Sequence, residues 1–250
     1  MRNRSIMIAI LLPLASIGLS SSLSAQNAAP PKAPSASAAA PARDFSGVWD
    51  IGNANGLTAR GAEAPLTEWG KQQMATNKPP RGDNQTTASN DPVDQCFPPG
   101  IPRLYYHPFP MEILQVPGRV VMVFEYDHFV RFIYTDGRKH PDDLVSTWMG
   151  DAIGHWEGDT LVVDTIGFND KTWLDRLGHP HSEDLHLVER FHRDNDKLID
   201  DITIDDPKAY TKSWTAQRTF QLKPKWTLAE FICADTYLNF NDFQKKTLGK

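Results

Sequence analysis

The sequence has no excess of basic charge. Its 250 residues carry 26 Lys and Arg against 31 Asp and Glu, a formal net charge of −5. No basic stripe is interleaved with aromatics, which argues against a nucleic-acid partner. There is no phosphate loop, no dinucleotide fingerprint, no GxSxG elbow and no serine with an obvious local base. These absences count against nucleotide enzymes and serine hydrolases. Helical periodicity is scarce, and its best case is LTEWGKQQMAT (66–76), where Thr67 is placed to cap and Glu68 suits the first turn. No internal repeat supports a propeller. The RGD at 81–83 and the glycosylation-type Asn84-Gln85-Thr86 read as chance matches.

What is present begins with Arg2 and Arg4, an apolar run from Ile6 to Leu19, and the small-residue stretch SSSLSA at 20–25. This order is that of a secretory signal peptide, here 1–25. The run is shorter than the ~20 residues that span a bilayer, so no stable membrane insertion is expected. Residues 26–43, rich in Ala, Pro and Ser, read as a disordered linker, and 44–250 as a single domain. Export, periplasmic or extracellular, exposes Cys96 and Cys233 to an oxidising compartment, and a disulfide between them is the natural reading.

From residue 110 onward, β-rich runs alternate with turn signals: PMEILQ, VVMVFE, HFVRFIY, STWM, AIGHW, TLVVDTIGF, LHLVERFHR, KLIDDITID, SWTAQRTFQL and WTLAEFIC. The dipeptides PG, DG and EG stand where hairpin turns belong. About nine or ten such strands predict an all-β fold, an antiparallel, lipocalin-like up-and-down barrel with one short N-terminal helix. The alternative is a two-sheet sandwich. Barrels of this size often hold one ligand inside.

DFSGVWD (44–50), CFPPGIPR (96–103), HPFPMEILQ (107–115), TDGRKHP (135–141), WMGDAIGHWEGDTLVVDTIGFNDKTWLD (148–175), HPHSEDLHLVERF (179–191) and TIDDPKAYTKSWT (203–215) form a distinctive string. In it the chain resembles a widespread set of exported bacterial proteins without an assigned function. The likeness covers most of 44–233. It implies one domain with these segments in order and supplies no chemistry.

Three constellations carry candidate chemistry. In GHPHSEDLH (178–186), His179, His181 and His186 stand beside Glu183, Asp184 and, further on, Glu189. These donors suit one divalent transition metal on the three histidines, or metal-free acid–base work by His181 and His186. They equally suit a polar loop. In FEYDHFVR (124–131), a turn at Tyr126-Asp127 would bring Glu125 against His128, as a general base or an ion pair at a hairpin tip. Arg131, further along, suits a ligand carboxylate or a structural salt bridge. In GFNDKTWLD (167–175), Asp170 and Asp175 flank Trp173, either orienting a histidine or forming an Asx-turn. Tyr105, Tyr106 and His107 precede a strand and either line a pocket or pack.

Two functions follow. One is an exported enzyme acting on a small apolar or aromatic molecule. Its chemistry would be lyase, hydratase, isomerase or hydrolase, run by His181, His186, the Glu125–His128 pair and Asp170, with Tyr106, Arg131, Trp173 and Asp175 on the ligand. The other is a non-catalytic small-molecule carrier. Convergence of His128, His181 and His186 in one pocket is what the enzyme requires.

Overall fold

The computed structural model of the chain describes residues 42–54, 56–58, 63–79 and 89–237. The signal peptide, nearly all of the linker, the RGD, Asn84 and the residues after 237 lie outside the described residues.

Nine strands close into one barrel in sequence order. They are β1 (Gly47–Asp50), β2 (Met111–Val116), β3 (Arg119–Phe124), β4 (Val130–Tyr134), β5 (Asp151–Glu157), β6 (Thr160–Ile166), β7 (His186–Asp194), β8 (Lys197–Asp205) and β9 (Trp214–Leu222). This is the barrel that the alternation predicts. Along β8, Leu198, Asp200, Ile202 and Ile204 are buried while the residues between them are partly or fully exposed. Closure leaves no free edge for intermolecular pairing. The helix α1 (Glu68–Thr76) starts at Thr67, whose hydroxyl accepts the Gly70 amide at 3.0 Å. A short helix, α2 (Cys233–Tyr237), follows the barrel.

Two hairpins turn as their sequences require. Pro117-Gly118 joins Val116 to its partner Arg119, with Gly118 at φ 78°. Proline presets the first turn position and only glycine takes the positive φ at the second without cost. Gly158, at φ 59°, does the same work between Glu157 and Thr160.

Three local expectations are corrected. Asp136-Gly137 does not close a hairpin. It opens the connection from β4 to β5, which pair in parallel through Ile133↔Ala152 and Tyr134↔Ile153. A parallel neighbour needs a crossover of a dozen or more residues, and 135–150 supplies it. The β3–β4 turn is centred on Asp127-His128, one residue later than the sequence suggests, with φ 54° and 53°. Asp and His tolerate the left-handed region better than the bulky Tyr126 would. WTLAEFIC forms no strand beyond a single bridge from Phe231 to Tyr126. The edge of β9 it would need is taken by β1, through Trp49↔Leu222 and Asp50↔Gln221.

The disulfide forms between Cys96 and Cys233, with Cα atoms 5.6 Å apart across 137 residues of sequence. It ties a loop to the start of α2 rather than to a last strand.

The barrel interior is packed with side chains. A 3₁₀ turn, Arg103–Tyr106, feeds Tyr105 into it, where the ring meets Phe124, Phe191 and Phe220. At the centre lies a buried ion pair. Arg131 donates to Glu189 at 2.8 and 2.5 Å and to the Thr165 hydroxyl at 2.9 Å, and the Tyr105 hydroxyl donates to Glu189 at 3.0 Å. Arg131 is 1% and Glu189 0% exposed. Such a pair survives burial only with this degree of hydrogen bonding. Asp200, also 0% exposed, has no side-chain hydrogen-bond partner among the described residues, and the Arg190 backbone amide is the one donor that favours its charged form. Burial, aided by the nearby Glu189 and opposed by Arg131, pushes its carboxyl well above the usual range. Around Tyr105 the barrel centre thus sets one guanidinium against two carboxyls, of which Asp200 is the one biased toward its protonated form.

Candidate functional site

The structure disperses the histidines. His128 is exposed at the β3–β4 turn. The Glu125 carboxylate, instead of meeting it, accepts the Ala229 amide at 2.7 Å. His186 begins β7 on the outer wall, because its neighbour Leu187 points inward. Its Nε2 meets Asp164 at 2.9 Å, and Asp164 also meets His140, whose other nitrogen faces Asp151 at 2.6 Å. Burial alone would raise the Asp164 carboxyl, but the hydrogen bonds from His186 and His140 outweigh it and hold the group below its ordinary value. This wall cluster is invisible to a reading by local motif, since Asp164 and His186 are 22 residues apart.

The rim segment folds back on itself. Asp175, fully buried, accepts the Leu57 amide at 2.9 Å and faces His179 Nδ1 at 2.6 Å. Both groups thereby hold the loop in place. His181 is 4% exposed, and its Nδ1 meets the Ser182 carbonyl at 3.1 Å. Ser182 is fixed in turn by Asp206, through its amide at 2.6 Å and its hydroxyl at 2.9 Å. Burial lowers the His181 imidazole below its ordinary range, with the Ser182 carbonyl, Asp206 and Asp170 opposing. His181, Asp170 and Trp173 do come together, around a cavity of about 150 Å³ at the barrel end. Asn169 makes the Asx-turn, accepting the Lys171 amide at 3.2 Å.

The geometry does not gather the residues of the metal reading. His179, His181 and His186 face three different partners, Glu183 and Asp184 are exposed, and Glu189 lies in the core on Arg131. Among the described residues no three His, Cys, Asp or Glu side chains form a group suited to a metal ion. Arg131, being sealed in the core, does not reach a ligand either.

A larger cavity opens in the barrel wall where β1 ends and β9 continues. It measures about 710 Å³, and its described walls include Leu57, Tyr106, Arg190, Asp201, Gln217 and Arg218. The alternation of β9 turns Arg218 inward with Ala216 and Phe220. There its Nε donates to the Tyr105 carbonyl at 2.8 Å, and another nitrogen donates to the Ile51 carbonyl. Its guanidinium lies 5.0 Å from the centre of the Tyr106 ring. Tyr106 is 1% exposed and its hydroxyl has no hydrogen-bond partner. Burial raises its phenol well above the ordinary value, against the pull of Arg218, so the hydroxyl keeps its proton. Sequence reasoning finds Tyr106 but passes over Arg218, although its spacing from Ala216 and Phe220 carries the signal.

Comparison with protein-family models, with curated proteins and with solved structures finds no match to this chain.

Proposed function

We propose that the protein is an exported, non-catalytic binding protein for a small molecule of mixed polarity, held in the cavity beside β9. The observation that carries this reading is a 710 Å³ cavity lined in part by Tyr106, whose buried hydroxyl has no hydrogen-bond partner among the described residues. The volume falls inside the ~300–1,000 Å³ range of small-molecule sites. A buried donor without an acceptor is costly, and a ligand oxygen within reach relieves that cost. The Arg218 guanidinium against the same ring favours a ligand that is anionic there, so an aromatic or alkyl carboxylate fits both groups. Leu57 and Ala216 offer apolar surface for its body.

The carrier reading is preferred to the enzyme because His128, His181 and His186 occupy three separate places. The disulfide supports export, since such bonds persist in oxidising compartments.

The test is calorimetric titration of the purified mature protein with a series of aromatic carboxylates beginning with benzoate. Tyr106→Phe is expected to weaken binding roughly five-fold, the worth of one hydrogen bond of about 1 kcal/mol. Stability without ligand should be unchanged or slightly higher, because an unsatisfied hydroxyl is removed. No binding across the series, or equal binding by the variant, overturns the proposal.

A further inference from the structure

The small cavity at the barrel end is separate from the cleft, and its chemistry is different. Its volume is about 150 Å³, and its walls include Gln73, Asn77, Asp170, Lys171, Trp173 and His181. His181 is the informative group. Because its Nδ1 faces a carbonyl oxygen at 3.1 Å, that nitrogen carries the ring proton and Nε2 presents a bare lone pair. Nε2 has no partner, although the side chain is 4% exposed. A buried acceptor in that state calls for a donor from outside the protein.

The rest of the wall defines the donor. One carboxylate, Asp170, and one ammonium, Lys171, balance, so neither a cation nor an anion is favoured overall. Two amides, Gln73 and Asn77, supply further hydrogen-bonding positions beside the indole of Trp173. Alternating polar groups next to an aromatic face suit a molecule with hydroxyls on its edge and C–H groups on its flat side. The size limits it. At ~30 Å³ per water the cavity equals about five waters, well short of the ~300 Å³ at which drug-sized sites begin.

We propose that this cavity binds a compact neutral polyol, with one hydroxyl donating to His181 Nε2 and the carbon chain lying against Trp173. The lowered basicity of His181 fits this role, because burial favours the neutral, accepting imidazole.

The test uses the full mature protein labelled with ¹⁵N-histidine and observed by long-range ¹H–¹⁵N correlation. Glycerol is titrated against 1,2-dimethoxyethane, an ether with the same number of heavy atoms and no donor. In the free protein, His181 should show a protonated Nδ1 and an unprotonated Nε2. Glycerol should move the Nε2 resonance saturably, and the ether should bind at least roughly five-fold more weakly. Asp170→Asn, at an exposed wall position, should weaken glycerol binding with the other histidine signals in place. Tyr106→Phe should leave the response intact, so the two sites fail or stand separately. A free protein with Nε2 already protonated, no saturable response to glycerol, or equal responses to the two probes would each overturn the proposal.

Discussion

Replacing Asp200 by Asn removes an ionisable group from the barrel core while keeping its shape. In the native protein the Asp200 carboxyl is fully buried beside Glu189, which is already paired with Arg131, and among the described residues no side chain hydrogen-bonds to it. Burial raises its pKa well above the ordinary 3.8. The sign follows from linkage. A group with a raised native pKa contributes its full stability below the unfolded pKa and loses it as pH rises through the native one. Above pH ~4 the unfolded chain releases this proton more readily than the native chain does, so the wild type loses stability as pH rises, by at most roughly tenfold in its folding constant per pH unit. Asp200→Asn pays no such penalty. Between pH 4 and pH 6 the gap in favour of the variant should therefore widen as pH rises, by at most roughly 60-fold, about 2.4 kcal/mol. Urea unfolding of both proteins at pH 4, 5 and 6, with the disulfide intact, measures it. Any fixed packing cost of the amide shifts all three points equally and leaves the slope untouched. A gap that stays constant with pH would mean that Asp200 is ionised in the native core, and the charge assignment there would be wrong.

Arg131→Met should destabilise by roughly 3–5 kcal/mol in urea unfolding, because Glu189 is left buried and unpaired. Adding Glu189→Leu should restore most of that, and a double variant no more stable than the single one would refute the assignment. Cys96→Ser with Cys233→Ser should lower stability by about 2–5 kcal/mol, since the bond closes a loop with a sequence separation of 137. An unchanged urea midpoint would count against that role.

Much of the barrel is legible in the sequence because each wall strand has one buried face. KLIDDITID matches β8 at both ends, and Thr67 caps α1 as its position suggests. The β4–β5 crossover is not legible, because Asp136-Gly137 has the same local chemistry whether it closes a hairpin or leaves a strand. WTLAEFIC has the composition of a strand, but strand composition says nothing about whether an edge is free, and β1 holds that edge. The site splits the same way. His181, Asp170 and Trp173 are near in sequence and meet in space. His186 goes elsewhere, and the inward alternation of Leu187 already implies it. The partnership of Asp164, His186 and His140 depends on strand register and on the path of the crossover, which no local pattern encodes.

The barrel is continuous in hydrogen bonding but not uniform around its circumference. Strands β1–β4 form one arc and β5–β9 another, each paired antiparallel throughout. The two arcs meet only at brief clasps: β4 on β5 through two residue pairs, and β9 on β1 through two more. A wall built this way can spread at a clasp without shearing any long ladder, and the larger cavity lies directly beside the β9–β1 clasp. The chain thus places a briefly paired seam near the cavity lined by Leu57, Tyr106 and Arg218, where the wall can part through a few bonds while the packed centre around Tyr105 and Arg131 stays shut.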